Sequence, residues 1–342
     1  MKIGIYTDVH CSYTSSILPL TLEGSKYTAR LDMIVNTFKW MYKLFEEQSV
    51  DLIVNCGDLF DSYKVRAEEL SAMAEALSYS SGIKEYHVIG NHEIYDKRRD
   101  FYATALLGNY SNVNIVDQPL KLQNGISFLP YMPWEDAQEL LPMLSNRLLF
   151  SHIDIQGSRV TPTYLIDAGV DGLKLSDCFD LVINGLIHAY QKINSKVINI
   201  GATTSTSFSD DPAYMPGVAI LDTDALSYQH YSNPYAILFR RFEGSMNELD
   251  AYCNNLKNRI ALRCDIDYTY KHSAAELLSS NDNIVAFRIN ALNKSNSVEE
   301  KSSCEEIELV GDINNEFVSF LKSCEELKYP LSDYTAIVES LS

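Results

Sequence analysis

Short apolar runs, each closed by a polar or glycine-bearing turn, recur along the first two thirds of the chain. Lys2 to Asp8 (KIGIYTD) is the first, Leu52 to Asn55 the second and Tyr86 to Ile89 the third. Runs this short, bounded by turn residues, predict buried strands. Between them the period changes. Leu31, Ile34, Val35, Phe38, Met41 and Phe45 recur at helical spacing, which predicts a helix over about residues 26–48 with Ser25 as its cap. A second helix is expected over Arg66 to Tyr79. Polar residues gather just past the strand C-termini, where open α/β sheets bind ligands.

Five further strands are expected at Ile126 to Leu129, Leu148 to Ser151, Leu181 to Asn184, Val197 to Ile200 and Val218 to Leu221. Few helical patterns separate them, which predicts a second, more antiparallel sheet packed on the first. The pattern changes again near Tyr228 to Pro234. Beyond it, strands at Ile237 to Phe242, Arg259 to Ile266 and Asn283 to Ile289, with a helix near Ser245 to Leu256, read as a small α+β domain. Residues 291–305 (ALNKSNSVEEKSSCE) are polar and biased, as in a linker. Two amphipathic helices close the chain, one over Ile313 to Leu327 with Phe317, Phe320 and Leu321 on one face, the other beginning at Ser332 after Pro330. The fold class is therefore α/β: two packed mixed sheets flanked by helices, a small α+β domain and a helix–loop–helix tail. The expected division is 1–230, 231–290, a linker at 291–305 and 306–342.

Composition narrows this picture. In 342 residues, 46 % of them apolar, no run approaches the roughly 18 needed to span a membrane. No signal-peptide pattern opens the chain, and seven cysteines without CxxC pairs suit reduced thiols, so a cytoplasmic protein is expected. The net charge, 28 − 46 = −18, argues against broad attraction to nucleic acid or anionic membranes. It does not exclude nucleic acid as a substrate, because a metal centre brings its own positive charge.

The candidate chemistry lies after the strands. Asp8 and His10 stand in YTDVH, Asp58 in NCGDLFD, Asn91 and His92 in IGNHE, His152 in LLFSH and His188 in NGLIH. Oxygen and imidazole donors without thiolates suit Mn²⁺, Fe or Zn²⁺. A carboxylate can bridge two ions about 3.5–4 Å apart, which clamp a phosphate and lower the pKa of a water. His87, His230 and His272 read as structural.

The ordered series DxH, GDLFD, GNHE, SH and GLIH resembles the calcineurin-like metallophosphoesterases. Within them it is most similar to the nuclease subunit of SbcC–SbcD type DNA repair complexes, in the bacteriophage recombination form. GDLFD, the stretch VINIGATTSTSFSDDPAYMPGVAILD and the layout of capping domain and tail helices carry the narrower likeness. The resemblance implies a two-metal, Mn²⁺-dependent DNA endo/exonuclease, with Mg²⁺ as a substitute. Asp8, His10, Asp58 and His188 would hold the first ion. Asp58 would bridge to the second, held also by Asn91 and His152. His92 would be catalytic, facing the phosphate and protonating the leaving oxygen.

The family pattern G-H-x-H is here Gly185-Leu186-Ile187-His188. Leu186 stands where the family has a ligand of the second metal, and leucine has no lone pair. The chain is then a variant working with a weak or single second metal, an architectural or regulatory subunit of the same complex, or an engineered knockout. A non-nuclease phosphoesterase is the further alternative. Lys97, Arg98 and Arg99 form a basic triplet after GNHE that could hold DNA phosphates or simply be solvated, and Arg240 and Arg241 form a second basic pair. Phe208 and Tyr214 could line a groove or pack. The implied partners are DNA, an SbcC-like coiled-coil ATPase bound through the tail helices, and a second copy in a homodimer. No membrane partner is implied. If phage-encoded, the protein would work in the host cytoplasm.

Overall fold

A computed structural model describes residues 1–20, 24–95, 101–161 and 164–292. The chain divides into two compact units, Met1–Phe239 and Arg240 onward. In the first, the order is β1 (Lys2–Tyr6), α1 (Ala29–Glu47), β2 (Leu52–Asn55), α2 (Ala67–Ser78), β3 (Glu85–Val88), β4 (Val113–Val116), β5 (Leu120–Lys121) and β6 (Ile126–Leu129). It continues through α3 (Trp134–Leu144), β7 (Leu148–Ser151), β8 (Arg159–Thr161), β9 (Tyr164–Leu165), α4 (Gly172–Cys178), β10 (Leu181–Asn184), β11 (Gln191–Lys192), β12 (Val197–Asn199), β13 (Gly217–Asp222) and β14 (Ser227–Ser232).

Two six-stranded sheets result, ordered β14-β13-β1-β2-β3-β4 and β11-β12-β10-β7-β6-β5. Their facing sides form one core. Ile3, Ile5, Val54 and Val88 of the first sheet meet Phe128, Phe150 and Ile183 of the second. Tyr86 stacks on Phe128 across it, with ring centroids 4.7 Å apart. The strands are buried on both faces, which is why they read as apolar runs rather than alternations. On the outer side of the first sheet lie α1 and α2. Phe45 of α1 presses on Gly4, where any Cβ would collide with its ring. The outer side of the second sheet is covered by α3 and α4, which bury Leu141, Leu144 and Leu175 against Leu149 and Val182.

The second sheet is less antiparallel than its sequence predicts. Its central strands β6, β7, β10 and β12 are mutually parallel, and only the edge strands β5 and β11 reverse. Right-handed crossovers need covering segments, and α3 and α4 supply them. α4 has only seven residues, and Pro142 inside α3 argues against a helix there although Ala137, Leu141 and Leu144 recur at helical spacing. The cap of α1 also differs. Thr28, not Ser25, accepts from Leu31 N at 3.2 Å, while Ser25 bonds Asp32 Oδ1 at 2.9 Å.

The second unit has a three-stranded sheet of β15 (Leu238–Glu243), β16 (Ile260–Asp267) and β17 (Ile284–Leu292), with α5 (Met246–Asn254) and α6 (Lys271–Ser279). α6 was not anticipated from sequence. Arg240 and Arg241 lie on β15. The linker expected over 291–305 begins inside β17, which runs through Leu292, and its remaining residues and both tail helices lie outside the described residues. Among the described residues no helix is long and apolar enough to cross a membrane. The five described cysteines are unpaired.

Candidate metal centre

Asp8 and His10 follow β1, Asp58 follows β2, Asn91 and His92 follow β3, His152 follows β7 and His188 follows β10. The two sheets place these C-terminal ends together. Asp8, His10 and His188 offer ligand atoms within 4.8 Å of one another, as do Asp8, Asp58 and His152, and His10, Asp61 and His92. A short ladder joins the first two loops: Asp8 N donates to Gly57 O at 2.9 Å, His10 N to Asp58 O at 2.9 Å and Cys11 N to Leu59 O at 2.7 Å. It holds Asp8, His10 and Asp58 at φ of 49°, 47° and 51°. Left-handed backbone costs an L-residue about 1–2 kcal/mol, so the surrounding bonds impose this conformation and aim the side chains inward.

The glycines of the GD and GN pairs have a steric reason. Gly57 has φ +110°, and a Cβ there would overlap the His152 ring. At Gly90 a Cβ would overlap Asp58 Oδ1.

Hydrogen bonds fix the imidazole tautomers, because a carboxylate or carbonyl oxygen can only accept. His10 Nδ1 donates to Asp61 Oδ1 at 3.0 Å, and His188 Nδ1 donates to Asp210 Oδ1 at 3.0 Å. Both rings therefore present Nε2 lone pairs inward, and these nitrogens face each other at 3.0 Å. Asp8 Oδ1 is buried beside them with no hydrogen-bond partner. Converging lone pairs and an orphaned carboxylate oxygen fit a cation, so the residues suit the divalent ion that this chemistry implies. His152 Nδ1 donates to Cys56 O at 2.7 Å, and its Nε2 meets Asn91 Oδ1 at 3.0 Å and Asp58 Oδ2 at 3.3 Å. Two acceptors facing one imidazole nitrogen require a proton or a cation between them.

The charge balance says which. Burial opposes a charge on His152, but Asp58 overrides it and raises the imidazole to about 9. Burial likewise opposes ionisation of Asp58, and His152 holds the carboxyl well below the usual carboxylate range. Without ions, the Asp58 charge therefore favours a proton on His152. His188 is raised and Asp210 lowered in the same way, each against burial and through the other.

Asp61 and Asp210 were missed in the sequence and are the carboxylates that orient the His10 and His188 rings. Thr206 N at 2.6 Å and Ser207 N at 3.1 Å hold Asp210 Oδ2. Outer partners of this kind typically matter 10- to 100-fold for ion affinity. Asp210→Ala is expected to weaken the tighter ion by about tenfold, as read by calorimetric titration; unchanged affinity would mean that His188 needs no orienter. Arg30, in the first turn of α1, is also buried. Its guanidinium donates to Val9 O at 2.7 Å, His10 O at 3.0 Å and Ser205 O at 2.6 Å, tying the first loop to the one carrying Asp210. Glu93 is fully buried and accepts from Leu59 N, Phe60 N and Gly90 N, while burial and the Asp58 charge push its carboxyl up to about 8.

His92 stands at the mouth. Its side chain is 42 % exposed, its Nδ1 donates to Asp61 O at 2.9 Å, and its Nε2 lies 4.0 Å from Asp58 Oδ2. Leu186 has φ +70°, and Ile187 N bonds Gly185 O at 2.9 Å, so it is the central residue of a γ-turn. The turn borders an open apolar cavity shared with Val160, Tyr164, Ile166 and Asp154.

Several candidates fall elsewhere. Phe208 packs on Phe239 at 5.1 Å, and Tyr214 donates to Ala202 O at 3.1 Å, so both have packing roles. His87 bonds Glu85 at 3.1 Å within the core, and His230 lies on β14. His272 is exposed beside Glu276. Lys97, Arg98 and Arg99 lie outside the described residues.

The calcineurin-like phosphoesterase model matches residues 1–177. No curated protein matches the chain. Among solved structures, an archaeal phosphodiesterase is 16 % identical, covering 68 % of this chain and 99 % of its own, with a TM-score of 0.37. A dimetal phosphatase from Danio rerio is 14 % identical, covering 64 % and 91 %, with a TM-score of 0.38. The Pseudomonas putida nuclease MPE is 15 % identical, covering 64 % and 83 %, with a TM-score of 0.30.

Proposed function

The chain belongs to the calcineurin-like phosphoesterase family, and from that premise we propose that it is a Mn²⁺-dependent nuclease subunit of an SbcCD-type DNA repair or recombination complex. The observation that carries the reading is the convergence of Asp8, His10, Asp58, His152 and His188 beneath an exposed His92. Asp8, His10, Asp58 and His188 would hold one ion, and Asp58, Asn91 and His152 the other. Bound ions would supply Lewis-acid charge beside the scissile phosphate and acidify an attacking water.

The chain's own groups do the rest. Asp61 and Asp210 keep the His10 and His188 lone pairs pointing inward. The Asp61 carbonyl fixes the His92 ring, whose protonated form would present Nε2–H to the leaving oxygen. The narrower choice of DNA rests on the GDLFD and GATTSTS segments. The test is hydrolysis of single- and double-stranded DNA, bis(p-nitrophenyl) phosphate and p-nitrophenyl phosphate with Mn²⁺. Cleavage of the diesters, DNA included, is expected; cleavage of the monoester alone would remove the nuclease reading.

Leu186 favours a second reading, a weak or architectural subunit of the same complex, because the second site has three protein ligands. That site should also depend on pH. An ion must displace the proton that Asp58 holds on His152, whose pKa is about 9. Its apparent affinity is expected to rise about tenfold per pH unit up to roughly pH 9. Calorimetry at three pH values checks this, and a flat profile would place the ion elsewhere. The sign for stability is opposite. The raised imidazole stabilises the ion-free fold fully below its unfolded pKa of about 6.5, and this is lost as pH rises through about 9.

The tail is the proposed dock for a coiled-coil ATPase, its apolar face laid in a groove. Deleting residues 306–342 is expected to abolish co-purification with that partner and leave the melting of the metal domain unchanged. Retained co-purification would move the dock elsewhere.

A further inference from the structure

We propose that Asp154 is a positioning carboxylate of the second ion site: it faces that site from the side on which Leu186 supplies no ligand, and there it holds a water bound to the ion. This rests on the two-ion reading and deepens it, by naming the group that stands in for the missing imidazole.

The backbone fixes the placement. Leu149, Ile153 and Ile155 bury into the core on the outer side of the second sheet, whereas Phe150 buries between the sheets. Residues two apart in an extended segment share a face, so His152 and Asp154 lie together on the side away from that outer core. Asn184 then sets this segment beside the next loop. Its Oδ1 accepts from Ile153 N at 3.0 Å, and its Nδ2 donates to Ile153 O at 3.0 Å. Gly185 and Leu186 follow Asn184 directly. The backbone of Asp154 is pinned from the other side as well. Its carbonyl accepts from Val170 N at 2.8 Å, and a Cβ on Gly169 would crowd that carbonyl.

Asp154 and Leu186 thereby line one open cavity of about 410 Å³, walled by Val160, Ile166 and Ile187. Asp167 also lines it, from an exposed position. The Asp154 carboxylate is half-buried, and it makes no hydrogen bond or ion pair among the described residues. An ionised carboxylate can only accept, and desolvating one without a donor is costly. A metal-bound water offers the charge-assisted donor that the apolar wall withholds. The surroundings are those of the second site. Burial raises the Asp154 carboxyl, and the His152 charge opposes this. Burial, then the Asp154 charge, then the Asp58 charge raise the Tyr131 hydroxyl, whose ring centroid lies 6.5 Å from that of His152. Asp154 belongs to none of the converging ligand groups, so its place suits contact through a water rather than direct ligation.

The test is a double-mutant cycle on the full chain, read by calorimetric Mn²⁺ titration without substrate. Asp154→Asn keeps the shape and removes the charge. It is expected to weaken the second ion about tenfold and to leave the first unchanged. In the Leu186→His protein, where an imidazole takes the position, the same change is expected to cost less than about twofold. Equal weakening in both backgrounds would mean a general effect of charge and overturns the proposal, as does weakening in neither. Melting with chelator present is expected to be unchanged by Asp154→Asn. A lower melting temperature together with loss of both ions would make Asp154 a structural residue and also overturns it. The two-ion reading fails differently. If no second ion binds with either leucine or histidine at 186, both ideas fall. If a second ion binds and Asp154→Asn leaves it unaffected, the two-ion site stands and Asp154 has no part in it.

Discussion

Replacing His92 with asparagine is expected to lower diester turnover by roughly 10²- to 10⁴-fold while leaving ion binding intact. The expectation follows from where the ring sits. His92 differs from His10 and His188: its Nδ1 is spent on the Asp61 carbonyl, its side chain is 42 % exposed, and its Nε2 stays 4.0 Å from Asp58 Oδ2, although it lies in one of the converging groups with His10 and Asp61. Asparagine keeps a polar group of similar reach but cannot act as a general acid. Ion stoichiometry by calorimetry and turnover on single-stranded DNA, measured on one preparation, decide the matter. If ion content falls with activity, His92 is a ligand and the proposed division of roles is wrong.

Leu186→His is the second change with a large expected effect. A direct ligand should matter at least as much as an outer partner, so the second ion is expected to bind on the order of 100-fold more tightly in the variant. The backbone favours a clean result. The γ-turn is closed by Ile187 N and Gly185 O, main-chain atoms that the substitution does not alter. Histidine also tolerates the left-handed region better than leucine. DNA cleavage at limiting Mn²⁺ should rise with the affinity. Two ions bound equally by both proteins would show that position 186 ligates nothing. Tighter binding without any gain in cleavage would leave an architectural role standing.

Much of this was legible in the sequence, for a physical reason. Strands buried on both faces must be apolar throughout, so β1, β2, β6, β7 and β10 announce themselves, and the polar residues that follow them mark the sheet ends where the site forms. What escaped depends on distant contacts. Asp61 and Asp210 look like ordinary loop acids until the fold sets them against His10 and His188, 51 and 22 residues away. Arg30 occupies a first helical turn, where a cation usually faces water; it is 1 % exposed because carbonyls of two loops converge on it. Glu93 is the last residue of GNHE, and only the fold shows that it closes three backbone donors in the interior. The parallel order of the second sheet was hidden by the shortness of α4 and the proline in α3.

The close fit of Gly57 against His152 and of Gly90 against Asp58 has a consequence for mutational tolerance. Neither glycine carries a functional group, yet each leaves room for one that does. In a saturation library selected for cleavage, alanine at either position should be depleted as deeply as a substitution of Asp58 itself. Substitutions at exposed Gly24 and Gly82, where an added Cβ meets nothing, carry only the left-handed backbone cost of about 1–2 kcal/mol and should be depleted less. The selection would thus outline the ligand cluster from its bare backbone as well as from its ligands.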